Sequence, residues 1–387
     1  MKILRTSLFI TLALSGTLLL TPHGGLLHAD PAASASSATP QIVAAADKLL
    51  ATISEEQRAK LIFDFQDAAQ RKHWSNLPDM AVHRAGLRMG DLTPAQRDAV
   101  HALLAAALSP EGYEKTLQIV QGDELLKKND RGGPPPRGDR GGPPPGGNPN
   151  GPGPGGDRQG PPPAGGRNGR GGGAIFGQDE YFISFLGKPS ATEPWMIQFG
   201  GHHLGLNITI AGEHGTLAPS HTGSQPAHYE IEGKAIRPLG RESDKAFALL
   251  SSLDEGQRKQ AILGATMHDL VLGPGHDGQV IQPEGIKGSA LTDQQRDLLL
   301  DLASEWINIM NPAVAQAKMA EIKKNIADTW FTWSGPMEKG GAAYFRVQGP
   351  SVLIEYAPQR LGGDPTNHIH TIYRDPTNDY GAQWWKK

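Results

Sequence analysis

The sequence contains no cysteine. This absence excludes disulfide bonds, a thiolate nucleophile, cysteine-ligated zinc and lipidation of an N-terminal cysteine. A metal site in this chain must therefore use His, Asp and Glu side chains, a ligand set that favours zinc, copper, iron or manganese.

Charge of either sign is also limited, since charged residues make up 20% of the chain and the formal net charge is -3. A chain without a global basic field is not expected to bind nucleic acid. The polar turn at residues 222–226 carries no Gly-x-Ser-x-Gly pattern, which argues against a serine hydrolase. No glycine-rich phosphate loop or dinucleotide fingerprint follows a strand-like segment.

Long hydrophobic runs are scarce, and the one candidate lies at residues 7–20. It follows a basic start and precedes the small residue Ala29, so residues 1–29 are predicted to be a secretory signal peptide. We expect a periplasmic or secreted protein without stable membrane insertion after cleavage, acting on a small-molecule or extracellular substrate. An uncleaved anchor is the alternative.

Two segments are predicted to lack packed structure. Residues 30–40 are expected to be a flexible N-terminal tail. Residues 131–173 consist almost entirely of Gly, Pro, Arg, Asp and Asn, so nothing in them can be buried. Their Arg-Gly-Gly steps resemble RNA-binding repeats, but a solvated, disordered spacer is the favoured interpretation in an exported protein.

A short phrase recurs four times, each copy with a capping residue, a glutamine three positions later and an arginine directly after it. The copies begin at Ser54, Thr93, Asp254 and Thr292. This is the capping-box signature of a helix start, and the apolar residue ahead of each copy fits it. The sequence therefore predicts four helices in two pairs, with 39 and 38 residues between the starts.

Each predicted helix pair is followed by a strand-rich stretch that opens with a similar phrase, at residues 181–190 and 344–351. We therefore predict an internal duplication, with the spacer inserted into the first copy; chance recurrence of a common phrase is the alternative. The predicted fold class is α+β, with paired helices packed on a mainly antiparallel sheet and a pseudo-twofold between the halves. Residues 41–130 and 174–240 would form the first half and 241–387 the second, together one compact domain.

The first of two histidine clusters is Gly201-His202-His203, inside the alternating stretch 195–210. Adjacent residues of a strand face opposite ways, so both histidines rarely bind one ion. Alternation puts His203 on the polar side and His202 among apolar neighbours, which makes His203 the better ligand candidate. An interruption of the strand at Gly200-Gly201 would overturn that ranking.

The second cluster is His368-Ile369-His370. On a strand its two histidines project to the same face about 7 Å apart. Two such imidazoles can chelate one ion with a third ligand from a neighbouring strand, and three neutral histidines with an open position are typical of catalytic zinc. Copper or iron is the alternative divalent metal. Because Gly-His-His occupies what we take as the matching place in the other half, we predict a metal site of His203, His368, His370 and, with least support, His202.

Charged residues near the second cluster supply candidates for catalysis. Glu355, Asp375 and Glu193 are the carboxylates available as a fourth ligand or general base. Arg374 is a candidate to steady an anionic substrate group, or to orient a histidine together with Asp375. A structural ion pair at a turn is an equal alternative for Arg374 and Asp375. The histidines at 214, 221 and 228 are expected at the surface of a loop-rich stretch, although His221 is able to approach the site.

Several long phrases resemble a bacterial exported family named domain of unknown function 3500: residues 185–195, 201–207, 348–356 and 367–370, with Arg374-Asp375. The resemblance covers the mature chain except the spacer. It implies an exported bacterial protein of one domain type and carries no established activity. Residues 357–364 depart from the family's usual Asp/Asn-rich link, which puts any ligand in that link in doubt.

The leading functional hypothesis is a metal-dependent hydrolytic enzyme, with Glu355 or Asp375 as base. A redox copper or iron enzyme is a variant of it. The main rival is a non-catalytic protein that binds an extracellular ligand, and a third reading is a structural envelope protein with the histidines in its core.

Overall fold

The computed structural model describes residues 31–130, 176–264, 266, 269–360 and 363–385. The predicted signal peptide and spacer lie outside the described residues. Ten helices are found in the described part of the chain: Pro31–Thr52 (α1), Glu55–Leu61 (α2), Ala68–Arg71 (α3), Pro94–Ala107 (α4), Pro110–Asp130 (α5), Gly240–Ser252 (α6), Glu255–Ala261 (α7), Asp293–Ile307 (α8), Pro312–Lys324 (α9) and Ala382–Trp385 (α10). Among these helices, none combines the length and apolar character needed to cross a membrane.

Fourteen strands lie in the same part of the chain: Ile62–Phe63 (β1), Leu87–Arg88 (β2), Phe182–Leu186 (β3), Trp195–Gly200 (β4), Leu204–Ala211 (β5), His214–Thr216 (β6), Ser220–Ser224 (β7), Tyr229–Ile231 (β8), Lys234–Ile236 (β9), Ile286–Lys287 (β10), Trp330–Ser334 (β11), Tyr344–Gly349 (β12), Val352–Pro358 (β13) and Ile369–Arg374 (β14). Twelve of them form one mainly antiparallel sheet, and β8 and β9 form a separate pair. The predicted α+β class is confirmed.

The four predicted helix starts are confirmed in detail. Complete capping boxes open α2, α4, α7 and α8, with Ser54, Thr93, Asp254 and Thr292 as the capping residues. Each box satisfies backbone N–H groups that a helix leaves unpaired at its first turn. These starts are therefore determined by local chemistry.

The glutamines of paired boxes also bind one another across each half. Gln96 Nε2 donates to Gln57 Oε1 at 3.1 Å, and Gln295 Nε2 donates to Gln257 Oε1 at 2.8 Å. Gln96 also donates to the carbonyl of Thr52, the last residue of α1, and Gln295 donates to that of Ser252, the last residue of α6. The two helical parts thus repeat the same contacts.

The order of strands is mirrored about the middle of the sheet. It runs β1-β3-β4-β5-β7 and then β14-β13-β12-β11-β10, so the halves meet where β7 pairs with β14. Thr222 lies directly opposite Thr371 there, and their hydroxyls are 2.7 Å apart. This arrangement fits the predicted pseudo-twofold, while an origin by duplication stays a prediction.

The matching of phrases used to predict the duplication was wrong in detail. Tyr181 precedes β3, whereas Tyr344 opens β12, and the mirrored order relates β3 to β11 and β4 to β12. His202 and His203 likewise lie between β4 and β5, whereas His370 lies on β14, whose counterpart is β7. The residue that corresponds to His370 across the Thr222–Thr371 pair is His221.

The sheet has two chemically different faces, because successive side chains of a strand point to opposite sides. One face is apolar and packs under α1 and α4 in the first half and under α6 and α8 in the second. The opposite face, called the polar face below, is covered by residues 64–86, which include α3, and by residues 269–285. Strand register places these residues on the polar face: Ser184, Gln198, Asn207, His221, His370, Glu355, Arg346 and Gln348.

The N-terminal tail predicted for residues 30–40 is helical from Pro31 onward, as part of α1. Thr39 is buried, and its hydroxyl donates to the carbonyl of Gly212 at 2.7 Å. The small residues of this segment suggested a solvated tail, but they continue the helix that packs on the first half.

Candidate metal centre

Three predicted ligands converge at the join between the two halves. His203 lies in the turn between β4 and β5, His368 immediately precedes β14, and His370 lies on it. The Nε2 atom of His368 is 3.2 Å from that of His203 and 3.0 Å from that of His370. One ring nitrogen from each histidine lies within 4.8 Å of the others, and all three side chains are buried.

These separations suit nitrogen ligands around a single ion. Zinc–nitrogen bonds in tetrahedral sites are about 2.0–2.1 Å long, which places two ligand nitrogens about 3.3 Å apart. The two Nε2 contacts are close to that value. The three histidines are therefore brought to the spacing of a metal site, as predicted.

Proton counting also favours a shared cation. Nδ1 of His203 lies 2.6 Å from the carboxylate of Asp123, so Nδ1 carries the proton and Nε2 turns a lone pair toward the other histidines. Nε2 of His368 holds at most one proton in its neutral form, yet it faces two ring nitrogens. At least one of the two contacts is therefore not a full hydrogen bond, and a cation would satisfy all three nitrogens together.

Asp123, on α5, orients His203 from behind. Its second carboxylate oxygen accepts a 2.8 Å hydrogen bond from the Tyr181 hydroxyl, so both oxygens are held. Burial raises the pKa of Asp123, but its interactions with His203 and His202 outweigh that effect, and the net pKa is lowered. A carboxylate behind a ligand histidine fixes its tautomer and raises its basicity.

Two of the three histidines, His203 and His370, are held neutral, as metal binding requires. Burial, followed by the neighbouring His202, lowers the pKa of His203 to about 4 against the opposing effect of Asp123. Burial is also the main cause that lowers the pKa of His370 well below its ordinary value. Neutral imidazole is the form that binds metal, so neither of these two rings has to lose the proton of an imidazolium near neutral pH.

The second orienting partner is Asn76, whose amide nitrogen Nδ2 lies 3.1 Å from Nδ1 of His370. In this orientation the amide donates to Nδ1, and the proton of a neutral His370 ring is on Nε2. Rotation of the amide by 180° would make its oxygen the acceptor of an Nδ1 proton and leave the Nε2 lone pair for an ion. Arg84 holds this segment in place, because its Nη2 donates to the carbonyls of Ser75, Leu77 and Gly201. The same guanidinium thus ties Asn76 to the turn that carries His203.

Gly223 on β7 provides the space in which the imidazoles meet. A Cβ atom at this position would lie 3.1 Å from Cδ2 of both His203 and His370 and 3.0 Å from the carbonyl oxygen of Ile369. Those separations are tighter than ordinary van der Waals contact, so a side chain here would push the two rings apart.

His202, the weakest predicted ligand, lies beside the centre. Its Nδ1 is 3.5 Å from Asp123, and its ring packs on Phe176 and His203. Asp123, His202 and His203 form a second group with metal-ligand spacing. However, the 2.6 Å separation of Asp123 and His203 is that of a charge-assisted hydrogen bond and is too short for two ligands of one ion.

Glu355, a candidate general base, holds the backbone of the covering segment. Its carboxylate accepts hydrogen bonds from the N–H groups of Val271 and Leu272 at 2.9 and 2.7 Å and from the Tyr344 hydroxyl at 2.6 Å. The side chain is fully buried. These contacts describe a structural carboxylate that fastens residues 271–272 to the polar face.

Arg374 and Asp375 likewise have structural partners. Arg374 donates to the carbonyls of Leu272 and Gly273 and to the carboxylates of Asp277 and Asp379. Its guanidinium is therefore not free to clamp a substrate. Asp375 accepts from the backbone and hydroxyl of Thr377 and from Lys318, as at a structural turn. Glu193 is exposed in the loop between β3 and β4.

His221 was expected at the surface, and this was wrong. It lies on β7 and is fully buried, with its ring centroid 5.2 Å from that of His370. Burial, followed by the charge of His203, lowers its pKa to about 3. The sequence signal was the phrase Ser220-His221-Thr222, which parallels Ile369-His370-Thr371 on the paired strand.

Asp123 and Asn76 were not anticipated at all. Asp123 lies on a buried stripe of α5 together with Gly112, Thr116 and Ile119, at spacings of three and four residues. An acid on the buried side of a helix was the available signal. Asn76 lies in an irregular segment, where periodicity carries no information.

Comparison with known proteins agrees with the resemblance seen in the sequence. Residues 35–382 match the family described as Protein of unknown function (DUF3500), and the chain belongs to that family. No curated protein and no solved structure matches the chain.

Proposed function

We propose that this protein binds one divalent transition metal through His203, His368 and His370, with zinc as the leading candidate. We also propose that it is a metal-dependent enzyme of hydrolytic type. The observation that carries the proposal is the convergence of three Nε2 atoms, at 3.2 and 3.0 Å, in front of a buried carboxylate bound to Nδ1 of His203. Closed structural zinc sites use four protein ligands, whereas three ligands with an open position are typical of catalytic zinc.

The charge of the ligand set supports hydrolysis. Three neutral imidazoles leave the full charge of a divalent ion in the site, which is the condition under which a bound water becomes a nucleophile near neutral pH. The chain's own contribution is to fix the tautomer of His203 through Asp123, and that of His370 through Asn76 once the Asn76 amide is rotated to present its oxygen. Glu355, Arg374 and Asp375, with the structural partners described above, are not part of this proposal.

The first experiment is elemental analysis of the purified full chain, as isolated and after chelation and reconstitution with zinc, copper or iron(II). We expect about one equivalent of metal per chain in the wild type and loss of most of it in the His368→Ala/His370→Ala variant. His214→Ala is the matched control, because His214 is exposed on β6. A wild type that takes up no metal, or a double variant that retains it fully, would overturn the proposal.

A second experiment tests the reaction class on reconstituted protein. Hydrolysis of p-nitrophenyl acetate and bis-p-nitrophenyl phosphate should depend on metal and be lost in His203→Ala. Stoichiometric metal without turnover of either ester would favour a non-catalytic binding protein. Turnover that requires copper or iron and an external reductant would instead favour the redox variant.

We further propose that the protein is exported, from the basic start, hydrophobic run and small-residue cleavage site within residues 1–29. Expression of the full chain followed by N-terminal sequencing should give a mature protein that starts near Asp30 in the periplasm or medium. A full-length chain retained in the cytoplasm would contradict this.

A further inference from the structure

A cavity of about 430 Å³ lies between α9, the turn before β6 and the segment that follows β14. Its lining includes Tyr373 of β14. Tyr373 is three residues after His370 on the same strand, so the two side chains point to opposite faces of the sheet. The cavity is therefore separated from the histidine centre by the sheet itself. Its volume is within the range of small-molecule sites.

The hydroxyl of Tyr373 has no partner within the protein. The residue is only 3% exposed. None of the residues that the structure describes forms a hydrogen bond with this hydroxyl, and it is not among the side-chain oxygens that are shut off from solvent. A tyrosine hydroxyl can donate and accept, and in so buried a place it is expected to be paired. Because Tyr373 lines the cavity, the partner has to enter from there.

Carboxylates outnumber cations around the cavity. Glu213, Glu321 and Asp375 line it, against Lys318 and a histidine, His214. Nζ of Lys318 donates to Glu321 at 2.9 Å and to Asp375 at 2.5 Å, so one positive charge is shared by two carboxylates. At a pH where His214 is neutral, the charged groups of the lining sum to a net negative charge.

The same excess of negative charge acts on the Tyr373 hydroxyl. Burial raises its pKa well above the ordinary value, and the charges of Asp375, Asp379 and Glu321 raise it further. A negative potential at a neutral, unpaired hydroxyl favours a ligand that brings a positive charge and an N–H donor.

The remaining walls are aromatic and aliphatic. Trp384 lines the cavity, and an indole ring is the side chain that attracts a cation most strongly through its face. Leu217, Ile307, Met310 and Val314 complete the apolar part. A ligand that fits both parts has a charged end and an apolar body.

We propose that this cavity binds an organic ammonium compound with an apolar body, such as an arylalkylamine, whose N–H group donates to the hydroxyl of Tyr373. The surrounding carboxylates balance its charge, and Trp384 and the aliphatic walls contact its apolar body. No residue of this cavity belongs to the histidine centre, so the proposal does not depend on the metal.

The test is saturation-transfer NMR on the full chain at pH 8, where histidine is neutral, with phenethylamine, 2-phenylethanol and 3-phenylpropanoate as probes. The three probes share a phenyl ring and differ in the charge of the end group. We expect the amine to bind at least about tenfold more tightly than the alcohol, and the carboxylate to bind most weakly. Absence of amine binding, or equal binding of amine and alcohol, would overturn the proposal.

The same titration on His368→Ala/His370→Ala separates this outcome from that of the metal proposal. The double variant should bind phenethylamine as tightly as the wild type, whether or not the wild type takes up metal. Loss of amine binding in the double variant would place the amine at the histidines and overturn the assignment to this cavity.

Tyr373→Phe is the decisive variant, since it removes only the hydroxyl. We expect it to weaken binding of phenethylamine about tenfold while thermal stability is retained, because the hydroxyl has no partner within the described chain. Tyr113→Phe makes the same change at a half-buried tyrosine of α5 outside the cavity and should leave the affinity unchanged. Wild-type affinity in Tyr373→Phe would contradict the proposal.

Glu321→Gln tests the role of charge. Because Glu321 is partly exposed, its replacement should weaken amine binding about threefold and leave binding of 2-phenylethanol unchanged. Glu255→Gln removes an exposed carboxylate from the start of α7 and is the control, with no effect on either probe expected. An equal effect of Glu321→Gln on amine and alcohol would show that the cavity does not recognise the charge.

Discussion

Nδ1 of His203 lies 2.6 Å from Oδ1 of Asp123, and both side chains are shielded from solvent. The two residues are separated by 80 positions and belong to a helix and a turn that meet only in the folded chain. Their contact orients the His203 ring, because one ring nitrogen binds the carboxylate and the other is left for an ion.

The first prediction follows from this pair. Asp123→Asn keeps the shape of the side chain but removes the charge that orients His203. Loss of such an outer partner typically weakens metal binding by about 10–100-fold. Competition with a chromophoric chelator measures the change. Unaltered affinity would show that the carboxylate does not act on the ligand.

The second prediction concerns Gly223. Gly223→Ala leaves every ligand in place but should lower metal affinity, since its Cβ would approach both His203 and His370 at 3.1 Å. Gly264→Ala is the control, because a Cβ there meets nothing within 4 Å. The same titration with zinc compares the two variants. Equal affinities would mean that the two rings can move apart without cost.

Glu355 supplies a third prediction, on stability rather than chemistry. Glu355→Gln replaces an acceptor of three hydrogen bonds by a neutral amide that cannot accept all of them equally well. Hydrogen bonds to charged groups contribute about 1.5–3 kcal/mol each, so a loss of about 2 kcal/mol of unfolding free energy is expected. Denaturant titration measures it. Metal content should not change, and a variant of normal stability without metal would restore Glu355 as a site residue.

The fourth prediction concerns pH, in protein stripped of metal. His221 has a pKa lowered to about 3 in the fold, whereas an unfolded histidine takes up its proton near pH 6.5. The unfolded state therefore binds more protons between these values, and stability is complete above pH 6.5 and falls as the pH drops through this window. The total effect is on the order of a few kcal/mol.

Replacement of His221 tests the assignment. His221→Gln removes this titration, so the denaturation midpoint should depend less on pH between 7.5 and 5 than it does in the wild type. His214→Ala, which removes an exposed histidine, should retain the wild-type slope. Identical slopes for wild type and His221→Gln would show that His221 does not contribute to acid sensitivity.

Features with a local cause were predictable from the sequence. The four capping boxes required only residues three apart, and all four helices begin where those boxes placed them. The shared face of His368 and His370 followed from the period of a strand. The α+β class followed from helix starts alternating with strand-rich stretches.

Features that depend on distant contacts were not predictable. Strand alternation ranked His203 above His202, but it revealed none of the partners of His203, because His203 lies in the turn after Gly201 and a turn has no period. Asp123 and Asn76 reach the cluster from a helix and an irregular segment. Glu355, Arg374 and Asp375 are close to the histidines in sequence, yet their partners are the backbone and side chains of covering segments, which no local pattern reveals.

The histidine centre also has a consequence for the timing of folding. His203 and His368 are 165 residues apart, and β14, which His368 precedes, is the last strand in chain order. Closing so long a loop is entropically costly, so we expect this contact to form only after most of the sheet exists. Metal uptake should therefore be a late event during refolding. The rate at which a bound-metal signal appears should then equal the rate at which the native state is completed.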